Sequence, residues 1–251
     1  MTESIRNRRS IRKYSGKDVD PAMLREILEL AGRTQTMGNL QLYSVVVTRS
    51  QAMKERLAPA HFGQPMVTNA PVVLTVCADF NRTTRWCENR KANPGYANFL
   101  SFMNAASDAL LYTQTLCQIA EERGLGLCFL GTTIYNAGQI VDILKLPKLV
   151  VPVATITLGW PDETPALSDR LPVDAFVHDE SYSDYSAEDI DRFYVPKESL
   201  EENKRFVEIN GKETLAQIFT DIRYTREANE SMSASLADVL RRQGFCGSDE
   251  A

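Results

Sequence analysis

The chain has 251 residues, of which 43% are hydrophobic and 24% charged, the proportions of an ordinary soluble globular protein. Its length suits one α/β domain or a domain with an excursion, and the formal charge of -5 argues against a dedicated nucleic-acid binder. No apolar run approaches the roughly 18 residues of a membrane span, and no apolar segment follows the basic N-terminus as a secretory signal requires, so the expectation is a cytoplasmic protein.

The charge is unevenly spread. Arg6, Arg8, Arg9, Arg12 and Lys13 stand against Glu3 alone in the first thirteen residues, so an anion site is expected to begin there. The first clear helix starts at Asp20-Pro21, a capping residue followed by proline at the first helical position. Leu24, Ile27, Leu28 and Ala31 then repeat at helical spacing. Tyr43 to Thr48 and Val72 to Ala78 are nearly continuous apolar runs, as strands covered on both faces are. Tyr96 to Arg123 reads as one long helix, apolar on more than one side, hence central to the core or shared with a partner subunit. The small residues Ala105, Ala106, Ser107 and Ala109 at its middle would admit another backbone closely. Leu125 to Leu130 is a third strand, Asn136 caps a short helix through Lys145, and Val150 to Leu158 is a fourth strand. From Asp162 to about Asn210 the chain is charged, proline-punctuated and weakly periodic, and Thr214 to Arg242 returns to helical spacing before Gly244. The expected organisation is a core over residues 1–161, with residues 162–251 an excursion and helical extension completing the same domain. Mixed helices and strands without regular βαβ alternation predict an α+β fold.

Several chemistries are excluded. His61 and His178 are the only histidines, neither beside a nucleophile elbow. No phosphate-binding P-loop, dinucleotide-binding glycine fingerprint or paired metal-ligand spacing occurs. Five cysteines, Cys77, Cys87, Cys117, Cys128 and Cys246, form an odd set without CxxC spacing, expected as thiols in a reducing compartment, three of them buried in apolar runs. What remains is chemistry carried by a bound cofactor. Arg8-Arg9-Ser10-Ile11-Arg12 is either a solvated basic face or a clamp whose guanidiniums and hydroxyl hold a phosphate. Thr34 to Gln41 is either an ordinary turn or a polar loop that reads the edge of a heteroaromatic ring.

In chain order, Arg9-Ser10-Ile11-Arg12, Asn39-Leu40-Gln41, Gly124-Leu125-Gly126-Leu127 and Leu158-Gly159-Trp160-Pro161 resemble the motifs of the nitroreductase family. The similarity is nearest to its NADPH-dependent, oxygen-insensitive nitroreductases and flavin reductases. It extends through Cys77 to Arg82, Leu144 to Pro147 and Arg170 to Pro172. The resemblance implies an α+β homodimer with a mostly antiparallel sheet flanked by helices and FMN at the subunit interface. It implies that Arg8, Arg9, Ser10 and Arg12 hold the phosphate and ribityl chain, with Arg170 closing the phosphate site. It implies further that Thr36, Gln41 and Gln64 lie by the flavin and that Phe129, Leu130, Gly131 and Thr132 run along the ring. No side chain is then catalytic: the backbone of Gly131 faces flavin N5, and hydride passes from NADPH or NADH to a nitroaromatic, quinone or free flavin by ping-pong turnover. The alternative is a flavin-binding protein that stores, fragments or senses FMN. Ser168 stands where the relatives have lysine, and Arg8 where they have histidine; Lys204, Arg205 and Lys212 are candidates for the extra phosphate of NADPH. Trp86, Cys87, Tyr96 and Phe99 are candidates for the substrate mouth.

Overall fold

The computed structural model describes residues 2–246. The chain opens with α1 (Thr2–Arg6) and α2 (Pro21–Ala31), then β1 (Tyr43–Thr48), α3 (Gln51–Leu57), α4 (Pro65–Asn69), β2 (Val72–Asp79) and α5 (Asn81–Asn89). The long α6 (Phe99–Glu122) leads to β3 (Gly126–Leu130), α7 (Ala137–Leu144) and β4 (Val150–Gly159). Last come α8 (Ala187–Glu198), α9 (Glu201–Ile209), α10 (Leu215–Ile218) and α11 (Arg226–Gln243). Leu167–Ser231 form one compact unit, and the described residues on either side of that span form the other.

The larger unit is built on one sheet in the order β1-β2-β4-β3, antiparallel at every pairing, in agreement with the α+β expectation. All eight residues of β2 are buried because both faces of the sheet are covered. Leu74, Val76 and Ala78 face a core shared with α2 and α6, while Val73 joins Cys128, Leu130, Leu57 and Ile140 on the other face. Side chains alternate across a strand, so a run apolar at every position signals two cores and not one. The same signature in β1 misleads. That strand is half-buried along most of its length, since it lies at the sheet's edge with β2 as its one neighbour.

Asp20 caps α2 by accepting the N–H of Ala22 at 3.2 Å, with Pro21 at the first helical turn. Asn98 caps α6 by accepting from Ser101 at 2.9 Å, and Gly124, at φ 81°, ends that passage in the left-handed conformation that suits glycine. Ala105 and Ala109, fully buried, belong to the core on α6's side of the sheet. The small residues there serve close packing within this chain. The opposite side of α6 leaves Phe99, Leu100, Met103, Leu110 and Leu111 exposed.

The smaller unit covers most of the charged, weakly periodic stretch that follows Asp162. It contains α8, opened by a reciprocal Ser186–Asp189 capping box, followed by α9 and α10. Phe193, Leu215 and Ile218 are its buried apolar residues, and Lys197 pairs with Asp169 at 2.7 Å. α8 and α9 are rich in acids and bases, which leaves few apolar positions to mark their period.

Candidate functional site

The basic N-terminal segment is not a loose tail. Gly126, the first residue of β3, has no side chain, and a Cβ built there would lie 2.8 Å from the Ile11 side chain. Ile11 fills that space, is buried, and donates its N–H to the carbonyl of Leu127 at 2.9 Å. Tyr14 fastens the segment from the other side: its hydroxyl donates to the Ile11 carbonyl at 2.8 Å and lies 2.7 Å from Thr157 Oγ1 on β4. Burial raises the Tyr14 phenol well above its ordinary range, so it stays a neutral donor. Ser15 N–H reaches Trp160 O at 2.9 Å and Asp162 N–H reaches Lys13 O at 3.0 Å, a short ribbon along the end of β4.

Arg8, Arg9, Ser10 and Arg12 are therefore carried on a backbone laid against β3. Glu163 accepts the backbone N–H groups of Arg12 at 2.6 Å and Lys13 at 3.0 Å, and those bonds hold its carboxyl below the usual carboxylate range. Arg9 is braced by donating to Pro165 O at 2.7 Å and Asn7 O at 2.9 Å. Arg8 lies beside Glu121, whose carboxyl burial pushes up and the Arg8 charge pulls back. Arg8, Arg9, Glu121, Glu163 and Gly126 line a cleft of about 270 Å³. The Arg12 guanidinium sits by Cys128 of β3, where burial raises the thiol and the nearby cation opposes it. The Ser10 hydroxyl has no hydrogen bond to any described residue.

Along β3 the pattern changes at Phe129, the one exposed residue of the strand. Leu130 is buried, and Gly131 opens a short turn in which an added Cβ would meet nothing within 4 Å. Thr132, next in that turn, is tied to buried His61: His61 Nδ1 and Thr132 Oγ1 are 2.8 Å apart. Asn136 adds a bond to Ala60 O at 2.8 Å, so the 129–132 segment and the 60–64 segment are stapled together. His61 has its pKa lowered by burial to about 4, which leaves it a neutral ring. Gln64, half-buried, precedes α4, and its side-chain amide makes no hydrogen bond to a described residue.

The loop from Thr36 to Leu42 is held at several points. Asp108 of α6, buried, accepts Met37 N–H at 2.8 Å and Leu42 N–H at 3.1 Å. Arg82 donates to the carbonyls of Gln41 and, at 3.4 Å, Tyr43. Gly38, Asn39 and Gln41 all have positive φ, between 48° and 57°. The Gln41 amide is turned onto Asn39, and Thr36 is half-buried at the loop's entry.

The structure thus brings the arginine segment and the Phe129–Thr132 turn onto one strand, and joins the turn to the Gln64 segment. Arg170 belongs to the smaller unit, exposed, with Nη1 on the carbonyls of Ser168 at 3.4 Å and Asp169 at 2.7 Å. Trp86 is exposed on α5 and Phe99 at the start of α6. Sequence reasoning missed Asp108, Arg82, Glu163, Tyr14 and the structural part of His61. Each makes a contact to a residue dozens of positions away, a role that no local spacing announces even for Arg82, which closes the Cys77 to Arg82 motif. Among the described residues no three His, Cys, Asp or Glu side chains gather as a metal site, and no helix is long and apolar enough to cross a membrane.

Comparison with known proteins places this geometry in a lineage. The chain is 33% identical over 180 residues to the oxygen-insensitive NADPH nitroreductase of Salmonella typhimurium, covering 72% of this chain and 73% of the relative. It is 30% identical over 255 residues to the FMN reductase (NAD(P)H) of Bacillus subtilis, covering 98% and 97%. A crystal structure of an oxidoreductase from Bacteroides fragilis superposes with a TM-score of 0.96 at 58% identity, covering 98% of this chain and all of the other. The model of the nitroreductase family matches residues 5–160, which include the arginine segment, the braced loop and the whole sheet; this chain belongs to the nitroreductase family.

Proposed function

We propose that the chain is an FMN-dependent oxidoreductase that passes electrons from NADPH or NADH to flat, electron-poor acceptors such as nitroaromatics, quinones or free flavin, working as a cytoplasmic homodimer. The observation that carries the reading is the placement of a cationic segment along β3, the strand that bears exposed Phe129 and leads into unobstructed Gly131. The relatives named for NADPH nitroreduction and FMN reduction supply the cofactor and the donor.

The residues present suit FMN. Guanidiniums side by side with a free hydroxyl match a phosphate dianion and a polyol chain. An exposed aromatic ring and a turn without side-chain obstruction match a flat ring system, and the unpaired amide of Gln64 is a donor and acceptor for its polar edge. FMN bound here supplies the two-electron hydride carrier that this chain's own side chains lack. Arg8, Arg9, Ser10 and Arg12 anchor the phosphate and ribityl chain. Thr36 and Gln64 orient the ring. Gln41 joins them by releasing its amide from Asn39. Phe129, Leu130 and Thr132 would run along the ring, with Gly131 leaving the backbone unobstructed there. The positive charge of Arg12 lowers the cost of negative charge added nearby. With FMN held here, donor and acceptor would use the same site in turn, the order of ping-pong turnover.

The partner surface we assign to α6. Phe99, Leu100, Met103, Leu110 and Leu111 form an exposed apolar stripe too extensive for a free helix face, on the helix whose inner side braces the Thr36–Leu42 loop.

The test is an absorption spectrum of the purified protein before and after NADPH or NADH is added without oxygen. Oxidised-flavin bands, close to one equivalent per subunit, that bleach rapidly are expected. A colourless protein that takes up no added FMN overturns the reading. A yellow protein that neither donor bleaches removes turnover and leaves a storage or sensing role.

A further inference from the structure

We propose that Asp108 is the positioning residue of the cofactor loop, holding Thr36–Leu42 in the one conformation that presents it to the ring. The inference rests on the assignment of that loop to FMN made above. Asp108 is 2% exposed, and its two carboxylate oxygens divide the work: Oδ1 accepts Met37 N–H at 2.8 Å and Oδ2 accepts Leu42 N–H at 3.1 Å. One side chain thereby closes both ends of the loop. Between those points Gly38, Asn39 and Gln41 sit at φ 53°, 57° and 48°. Two of the three are not glycine, and such backbone persists only where its surroundings impose it. Arg82 completes the restraint by taking the carbonyls of Leu40 at 3.5 Å, Gln41 and Tyr43 at 3.4 Å. A buried anion on the N–H groups and a cation on the C=O groups leave the loop backbone little freedom.

An ionised carboxylate suits this place and an amide does not. It accepts at both oxygens, whereas asparagine accepts at one and directs N–H donors at the other backbone N–H. Asp108→Asn therefore breaks one of the two bonds in either orientation, with little change in volume. Asp108 itself contacts no cofactor in this scheme. It acts through the loop.

The experiment uses the FMN-loaded protein, with Tyr112→Phe as control. That variant, on the same helix as Asp108, loses a hydrogen bond of 3.0 Å to Leu28 O of α2 and leaves the loop bonds intact. Four quantities are read: the FMN dissociation constant, the visible circular dichroism of the bound flavin, amide exchange at Met37 and Leu42, and the melting temperature. For Asp108→Asn the FMN dissociation constant should rise about tenfold, as loss of one charge-assisted hydrogen bond implies. The flavin dichroism should change and Met37 or Leu42 should exchange faster, while Tyr112→Phe lowers the melting temperature without those effects. If Asp108→Asn cannot be recovered folded, Asp108→Glu, which keeps the charge and displaces it by a methylene, is read in the same way. Wild-type FMN affinity and wild-type protection at both amides in the Asp108 variant would overturn the inference, as would an affinity loss no larger than that of Tyr112→Phe. Wild-type protein that takes up no FMN would instead overturn the cofactor assignment, and this inference with it.

Discussion

Replacing Gly126 by alanine tests whether the arginine segment owes its position to packing against β3. The new Cβ would lie 2.8 Å from Cβ, Cγ1 and Cγ2 of Ile11. Carbon atoms rest about 3.5–4 Å apart, so Ile11 must recede by roughly 1 Å. It has little room to do so, because its N–H is on Leu127 O at 2.9 Å and its carbonyl on the Tyr14 hydroxyl at 2.8 Å. Overpacking of this kind costs about 1–3 kcal/mol. The same displacement moves Ser10 and Arg12, the chain neighbours of Ile11. If it breaks one phosphate bond from a guanidinium, FMN affinity falls about ten- to hundredfold. Chemical denaturation of the apoprotein gives the first quantity and FMN titration by fluorescence the second. Gly16→Ala, where a Cβ meets nothing within 4 Å, is the control and should change neither. A Gly126→Ala protein with unaltered stability would refute the packing argument. Lower stability with unaltered FMN affinity would refute the placement of the phosphate on this segment.

Gly131→Val should fold with stability within about 0.5 kcal/mol of wild type, since its side chain enters open space. It should lose most FMN binding, because that space is where the ring is placed; a variant that binds FMN normally sinks that placement. Leu110→Lys combined with Leu111→Glu, both on the exposed stripe of α6, should convert a dimer to monomers in sedimentation velocity. A variant that remains dimeric would move the partner surface elsewhere. His61 makes stability depend on pH in one direction. Burial lowers its pKa from 6.5 to about 4, so between those values the unfolded chain binds a proton that the folded chain refuses. Its contribution is complete above pH 6.5 and is lost as pH falls toward 4, by up to about 3 kcal/mol. His61→Gln should therefore show a shallower loss of stability between pH 6.5 and 4 than wild type. Equal slopes would count against a buried neutral histidine.

The sequence by itself determined the strands and the central helix. Tyr43–Thr48 is a strand over the very residues its apolar run marks, and the other three end within one residue of their apolar runs. Runs buried on both faces leave a signal that needs no partner to be recognised. Residues 96–123 likewise read as a helix and form α6 over Phe99–Glu122. Helices without an apolar stripe escaped: α1, α3 and α5 are short, while α8 and α9 are rich in acids and bases, and their boundaries depend on caps and tertiary contact. The edge position of β1 escaped too, since its composition matches that of a covered strand and strand order is a property of the whole sheet. In the candidate site, the arginine cluster and the polar loop were legible as motifs because their chemistry is local. What holds them was not. Asp108 reaches Met37 across 71 residues, His61 meets Thr132 across 71, and Gly126 matters because Ile11 occupies the space beside it. Local spacing decides which groups a chain can offer. The tertiary fold decides which of them are fixed in place, because a buried hydrogen bond or a filled gap exists only after distant segments have met.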